Sequence, residues 1–147
     1  MFSQDFKEFI QLLNEKKVEY LVVGGYAVTI HGYPRYTGDL DIWINKTQEN
    51  SILIIEVLKD FGFSSLNLTS DDFLKDGNVV QLGYPPLRID ILNDIDGVKF
   101  SECYTRKEYF NIDNIKIPFI STSDLILNKK ASGRHKDIDD LENLISK

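Results

Sequence analysis

Three aspartates stand out as residues that could do chemistry: Asp39 and Asp41, one residue apart, and Asp90, set between two isoleucines. On a strand, alternate side chains point to the same side. Asp39 and Asp41 then share a face while Leu40 and Ile42 enter the core. Arg88 and Asp90 likewise share one face, and Ile89 and Ile91 take the other. Two carboxylates held together repel each other unless a cation sits between them. Mg²⁺ or Mn²⁺ answers that need, because hard divalent ions take oxygen ligands. If the two strands are neighbours, Asp90 completes a three-carboxylate cluster. An Asp-x-Asp pair alone is weak evidence, since it is common in turns and surface strands. The Gly24-Gly25 pair upstream and the apolar flanks of Asp90 strengthen it.

Gly24-Gly25 exposes backbone N–H groups with no side chain in the way, which suits a phosphate group. A tight strand-to-helix connection explains the pair equally well. The spacing is neither Gly-x-Gly-x-x-Gly nor a phosphate loop ending in Gly-Lys-Ser/Thr. His31, His135 and Cys103 are too scattered to form a zinc set.

The elements that must position these residues follow from apolar spacing. Phe2, Phe6, Phe9, Ile10 and Leu13 predict a first helix, which Ser3 could cap. Tyr20–Val23 reads as a buried strand that stops at the glycines, and 26–31 as a short helix. Leu40–Ile44 is a second strand and Ser51–Phe61 a long helix. Phe63, Leu66 and Leu68 could line another strand within 63–77. Val79–Leu82 and Leu87–Leu92 form a hairpin joined by 83–86, and Ile112–Ile117 is a further strand with Pro118 at its exit. Ser121 or Ser123 starts a helix that Gly133 ends, and Asp137 could start and cap the last one. The fold class is therefore α/β (α+β): a mixed sheet flanked by helices. The expectation is one domain over 1–147, with C-terminal helices in 121–146 packed on it.

The composition is that of an ordinary globular protein, 42% hydrophobic and 27% charged in 147 residues. A net charge of −6 argues against broad, nonspecific nucleic-acid binding, though a local basic pocket remains compatible with it. One cysteine permits no intrachain disulfide, and a reducing, cytoplasmic setting is expected. No membrane partner is expected, because no apolar run approaches the ~20 residues a span needs. The N-terminus does not have the pattern of a signal peptide.

Residues 23–42, Val-Gly-Gly-Tyr-Ala-Val-Thr-Ile-His-Gly-Tyr-Pro-Arg-Tyr-Thr-Gly-Asp-Leu-Asp-Ile, resemble the signature of the DNA polymerase beta-like nucleotidyltransferase superfamily. The flavour is that of the small bacterial group with AbiE-type toxin domains and other minimal nucleotidyltransferases. The segment Lys129-Lys130-Ala131-Ser132-Gly133-Arg134-His135-Lys136-Asp137 resembles that group's C-terminal helix junction. The resemblance covers about 20–45, 87–92 and 121–145. It implies a nucleotidyltransferase fold in which Gly24 and Gly25 approach the nucleotide phosphates and Asp39 and Asp41 hold the metals. Asp90 would be the third carboxylate, helping to deprotonate or orient an acceptor hydroxyl. Many members have Gly-Ser where this chain has Gly24-Gly25, so a serine contact to phosphate is missing.

The same resemblance points to Arg35 and Lys129 as phosphate contacts and gives Thr37 a lesser chance of touching the nucleotide. The competing readings are an ion pair for Arg35 with Asp39 or another acid, a loop or capping role for Thr37, and a solvated helix end for Lys129. Implied is transfer of a nucleoside monophosphate from an NTP, ATP first, to a hydroxyl on a small molecule, protein or RNA. A toxin–antitoxin setting is compatible with it. The alternative is an antitoxin-like or regulatory module that binds a protein partner and keeps a weakened nucleotide site. An open pocket beside the three acids favours the first, and an occluded one the second.

Overall fold

Ser3 begins the first helix, α1 (Gln4–Glu15), its hydroxyl accepting the Phe6 N–H at 3.2 Å. Phe6, Phe9, Ile10 and Leu13 form its buried side, as their spacing requires. The structure, a computed structural model, describes residues 2–84 and 86–145. Pro85 of the expected hairpin connection and residue 146 of the expected C-terminal helices lie outside the described residues.

The first strand, β1 (Tyr20–Val23), runs directly into α2 (Gly24–Ile30). The second strand, β2 (Asp39–Ile44), follows, and then α3 (Gln48–Asp60). The hairpin is β3 (Val79–Tyr84) with β4 (Leu87–Leu92). After it come α4 (Phe100–Thr105), β5 (Glu108–Ile112), β6 (Ile115–Phe119), α5 (Thr122–Ser132) and α6 (His135–Ile145). The six strands make one mixed sheet in the order β3-β4-β2-β1-β6-β5. β2 is antiparallel to β1 and parallel to β4, and β1 is parallel to β6. The mixed sheet flanked by helices is the architecture expected from the sequence. No helix among the described residues is long and apolar enough to cross a membrane.

Several boundaries differ from the sequence reading, each for a local reason. The first two residues of α2 are Gly24 and Gly25, ahead of the expected start at Tyr26. The long helix starts at Gln48 rather than Ser51, because Thr47 caps it and accepts the Asn50 N–H at 3.2 Å. Asn50 is buried there with its amide spent on backbone: it accepts the Glu19 N–H at 2.8 Å and donates to the Glu19 and Asn45 carbonyls. The strand suggested within 63–77 is absent. That stretch forms two 3₁₀ turns, Ser64–Leu66 and Ser70–Phe73, the second closed by Asp72 accepting the Thr69 N–H at 2.8 Å. The strand suggested over 112–117 divides at Asp113 and Asn114, whose φ values of 51° and 66° turn the chain between β5 and β6. Pro118 lies inside β6, opposite Tyr109, rather than at its exit.

Ser121, not Ser123, caps α5, accepting the Asp124 N–H at 3.2 Å. Gly133 ends that helix at φ 61°. The last helix starts at His135, so Asp137 lies within it rather than ahead of it. There Asp137 is fully buried and accepts from Lys129 (3.0 Å), Ser132 (2.7 Å) and Arg134 (2.8 Å). Burial alone would raise its pKa, but these donors hold the carboxyl well below the ordinary carboxylate range. Lys129 is also buried and reaches Asp140 at 3.1 Å. α5 and α6 are thus joined by a charged core as well as an apolar one. Replacing Lys129 with Met should take from two buried carboxylates the cation they share and lower the unfolding free energy by about 3 kcal/mol, read by urea denaturation. An unchanged midpoint would mean that the lysine does not hold the helices together.

Candidate active site

Strand register brings the three acids together. On adjacent parallel strands, Asp41 pairs with Asp90 and Asp39 with Arg88. Side chains at paired positions project to the same face, so all four point from one side of the sheet. Leu40, Ile42, Ile89 and Ile91 are buried on the other. These apolar residues orient the acids: a one-residue slip would put every carboxylate into the core.

The acids line a cavity of about 510 Å³ whose wall includes Gly24, Arg88, Lys129, Arg134 and Lys136. Gly24 sits directly against Asp41. A Cβ added to Gly24 would collide with the Asp41 carboxylate, and Gly24 has φ +67°, which an L side chain adopts poorly. Gly25 stands as close to Thr37: a Cβ there would lie 2.7 Å from Thr37 Cγ2 and 2.8 Å from Oγ1. The glycine pair therefore lets β1 and α2 close onto the carboxylate strand.

Arg88 holds the acids in place. Its Nε donates to Asp90 Oδ1 at 2.7 Å, and its Nη2 donates to Asp90 Oδ2 and Asp39 Oδ2, both at 3.0 Å. Asp41 lies outside this fork. Burial, followed by the neighbouring charges of Asp90 and Asp39, raises its pKa to about 7, against the opposing pull of Lys136 and Lys129.

The other expected contacts divide. Arg35 is in an ion pair, with Asp140 rather than Asp39, through a two-pronged contact at 2.8 and 3.0 Å. Thr37 borders a second cavity of about 170 Å³ shared with Gly25, Asp39, Asp41 and Lys136. Its buried hydroxyl oxygen has no hydrogen-bond partner among the described residues. Lys129 lines the larger cavity, as expected, with its ammonium engaged by Asp137 and Asp140. The structure also brings forward Lys136. It borders both cavities, has no hydrogen bond or ion pair among the described residues, and its charge opposes the rise in the Asp41 pKa. The density of basic residues over 129–136 signalled a cation here; which of them is free depends on where α6 packs.

Among the described residues, no three His, Cys, Asp or Glu side chains are gathered closely enough to hold an ion as they stand. The Arg88 guanidinium already engages Asp39 and Asp90. In chemistry the set still fits Mg²⁺ or Mn²⁺: three carboxylates from adjacent strands, facing one cavity, two of them already drawn to one positive charge.

A family model described as "Nucleotidyltransferase of unknown function (DUF6036)" matches residues 3–146. No curated protein matches the chain in sequence. Solved structures share the fold at low identity. A candidate nucleotidyltransferase from Thermotoga maritima superposes with a TM-score of 0.61 at 15% identity, covering 96% of this chain and 90% of that one. A lincosamide antibiotic adenylyltransferase with lincomycin bound gives 0.62 at 18%, covering 99% and 98%. An antigenic nucleotidyltransferase-like protein from Paracoccidioides brasiliensis gives 0.56 at 19%, covering 97% and 75%.

If Asp41 is a ligand, its proton must leave before an ion binds. Mn²⁺ affinity without nucleotide should then rise about tenfold between about pH 6 and pH 8, as Asp41 ionises. A flat calorimetric profile over that range would contradict a ligand role for Asp41.

Proposed function

We propose a function on the premise that the chain belongs to the family of nucleotidyltransferases of unknown function whose model matches residues 3–146. Nucleotide transfer is the chemistry that this membership supports. The finer reading is transfer of a nucleoside monophosphate from an NTP to a hydroxyl acceptor by residues 1–147 acting as one unit. The observation that carries it is the β2–β4 register, which sets Asp39, Asp41 and Asp90 on one face beside Gly24.

In this reading Asp39, Asp41 and Asp90 would hold Mg²⁺ or Mn²⁺. The ion, when bound, supplies Lewis-acid polarisation and neutralises phosphate charge. The chain's own residues do the rest. Gly24 and Gly25 keep the wall free of side chains, so that phosphates can approach the backbone. Lys136 offers its unpaired ammonium to the phosphates, and the Thr37 hydroxyl offers a donor beside it. Asp90 orients the acceptor hydroxyl and takes up its proton as the oxygen attacks the α-phosphorus and pyrophosphate departs. Arg88 must release at least one carboxylate before an ion can be held. Arg35 and Lys129 support the site from behind, through Asp140 and Asp137.

ATP is the donor to try first, since adenylyl transfer is the chemistry named for one structural neighbour. The open cavity beside the acids supports an enzyme over an antitoxin-like or regulatory protein-binding module, whose site an occluding segment would close. Calorimetric titration of ATP with and without Mg²⁺ separates the two. The wild type should show metal-dependent binding that Asp41→Asn abolishes without loss of thermal stability. Lys136→Ala should weaken nucleotide binding about tenfold or more, as loss of a charge-assisted contact does. Absence of any metal-dependent binding by well-folded wild type would favour the binding module.

A further inference from the structure

At the end of β1 away from Gly24 lies a groove that the transfer reaction does not use. It measures about 360 Å³, and among the described residues its lining includes Tyr20, Tyr104, Tyr109, Lys17 and Lys116 but no carboxylate. A chain of rings runs out to it from the core. Trp43 meets Phe100 edge-on at 5.1 Å, and Phe100 stacks on Tyr104 at 5.1 Å with the planes 21° apart. The Lys107 ammonium lies 3.9 Å from the centre of the Tyr104 ring and 5.5 Å from that of Tyr109. The Lys116 ammonium lies 4.2 Å from the Tyr109 ring. Tyr20 is pinned by donating its hydroxyl to Asn14 at 2.8 Å, and the Asn14 amide donates to the Lys116 carbonyl at 3.0 Å.

Among the described residues, the lysines divide into those that face an acid and those, Lys136 among them, that do not. Lys7, Lys16, Lys46 and Lys129 each face a carboxylate. Among the described residues, Lys17, Lys107 and Lys116 have no such partner. Glu19, an acid near Tyr104, accepts from the Asn45 side chain at 3.0 Å. In a protein of net charge −6, this makes a local reversal of sign held in place by aromatic rings.

We propose that this groove binds a single strand of nucleic acid, its phosphates on Lys107, Lys116 and Lys17 and a base against Tyr109, which is 49% exposed. Ammonium groups interleaved with ring faces match a polymer in which phosphates alternate with flat bases. The groove is open to solvent rather than enclosed, so it leaves room for a polymer to extend beyond it. The inference does not rest on the transfer reaction, and its test separates the two.

The test is fluorescence anisotropy of the full chain with a labelled single-stranded RNA of about 12 nucleotides, within the site sizes such grooves span. The wild type should bind, with affinity falling as salt rises. The Lys107→Glu/Lys116→Glu variant should lose about tenfold or more and Tyr109→Ala several-fold, while Asp41→Asn binds as the wild type does. Free mononucleotide should not displace the strand. No binding by folded wild type would overturn the proposal, as would equal binding by the charge variant or displacement by mononucleotide. If the charge variant melts early, Tyr109→Ala decides: unchanged affinity there counts against the groove.

Discussion

The mutual repulsion of three carboxylates is the constraint around which this protein is arranged. Asp39, Asp41 and Asp90 project from neighbouring strands into one partly enclosed cavity. In such a place like charges are poorly screened, and each must be compensated or left protonated. The structure shows both remedies at once. Arg88 partly compensates Asp39 and Asp90 through three hydrogen bonds, and Asp41, which it does not bond, has its pKa raised to about 7. A site so balanced is poised to exchange a guanidinium and a proton for a divalent cation. The glycine pair serves the same constraint, since only a residue without a Cβ can stand where Gly24 meets Asp41.

A second electrostatic arrangement supports the first from behind. The buried acids of α6 bind cations from two other parts of the chain: Lys129 from α5, and Arg35 from the segment leading into β2. Arg35, Thr37 and Asp39 lie within five residues of one another. The last helix is therefore tied to the approach to the carboxylate strand, and its packing bears on the site even though its acids do not face the cavity's carboxylates. Lys136, one residue before Asp137, faces the cavities while its neighbour faces the core.

Much of this was legible in the sequence wherever the signal was local. Period-two alternation around Asp39-Leu40-Asp41 and Arg88-Ile89-Asp90 put the charged residues on one face, and the parallel register confirms that the two strands are neighbours. Ser3, Ser121 and Gly133 mark helix ends by their own chemistry. Where partners lay far off in the chain, the reading failed. Buried Asn50 carries no local sign of its role, which rests on backbone partners at 19 and 45. The pairing of Lys129 was not visible locally, because the acids that hold it lie one helix further on. The role of Arg88 was hidden for the same reason: sharing a face with Asp90 was visible, but spanning to Asp39 needs the two strands side by side.

The most direct test of the account is a crystal structure with Mn²⁺ and a non-hydrolysable ATP analogue, the manganese located by anomalous diffraction. The account predicts manganese among Asp39, Asp41 and Asp90, the Arg88 guanidinium displaced from at least one of its carboxylates, and the triphosphate between Gly24-Gly25 and Lys136. Manganese bound elsewhere, with Arg88 still bridging Asp39 and Asp90, would contradict it.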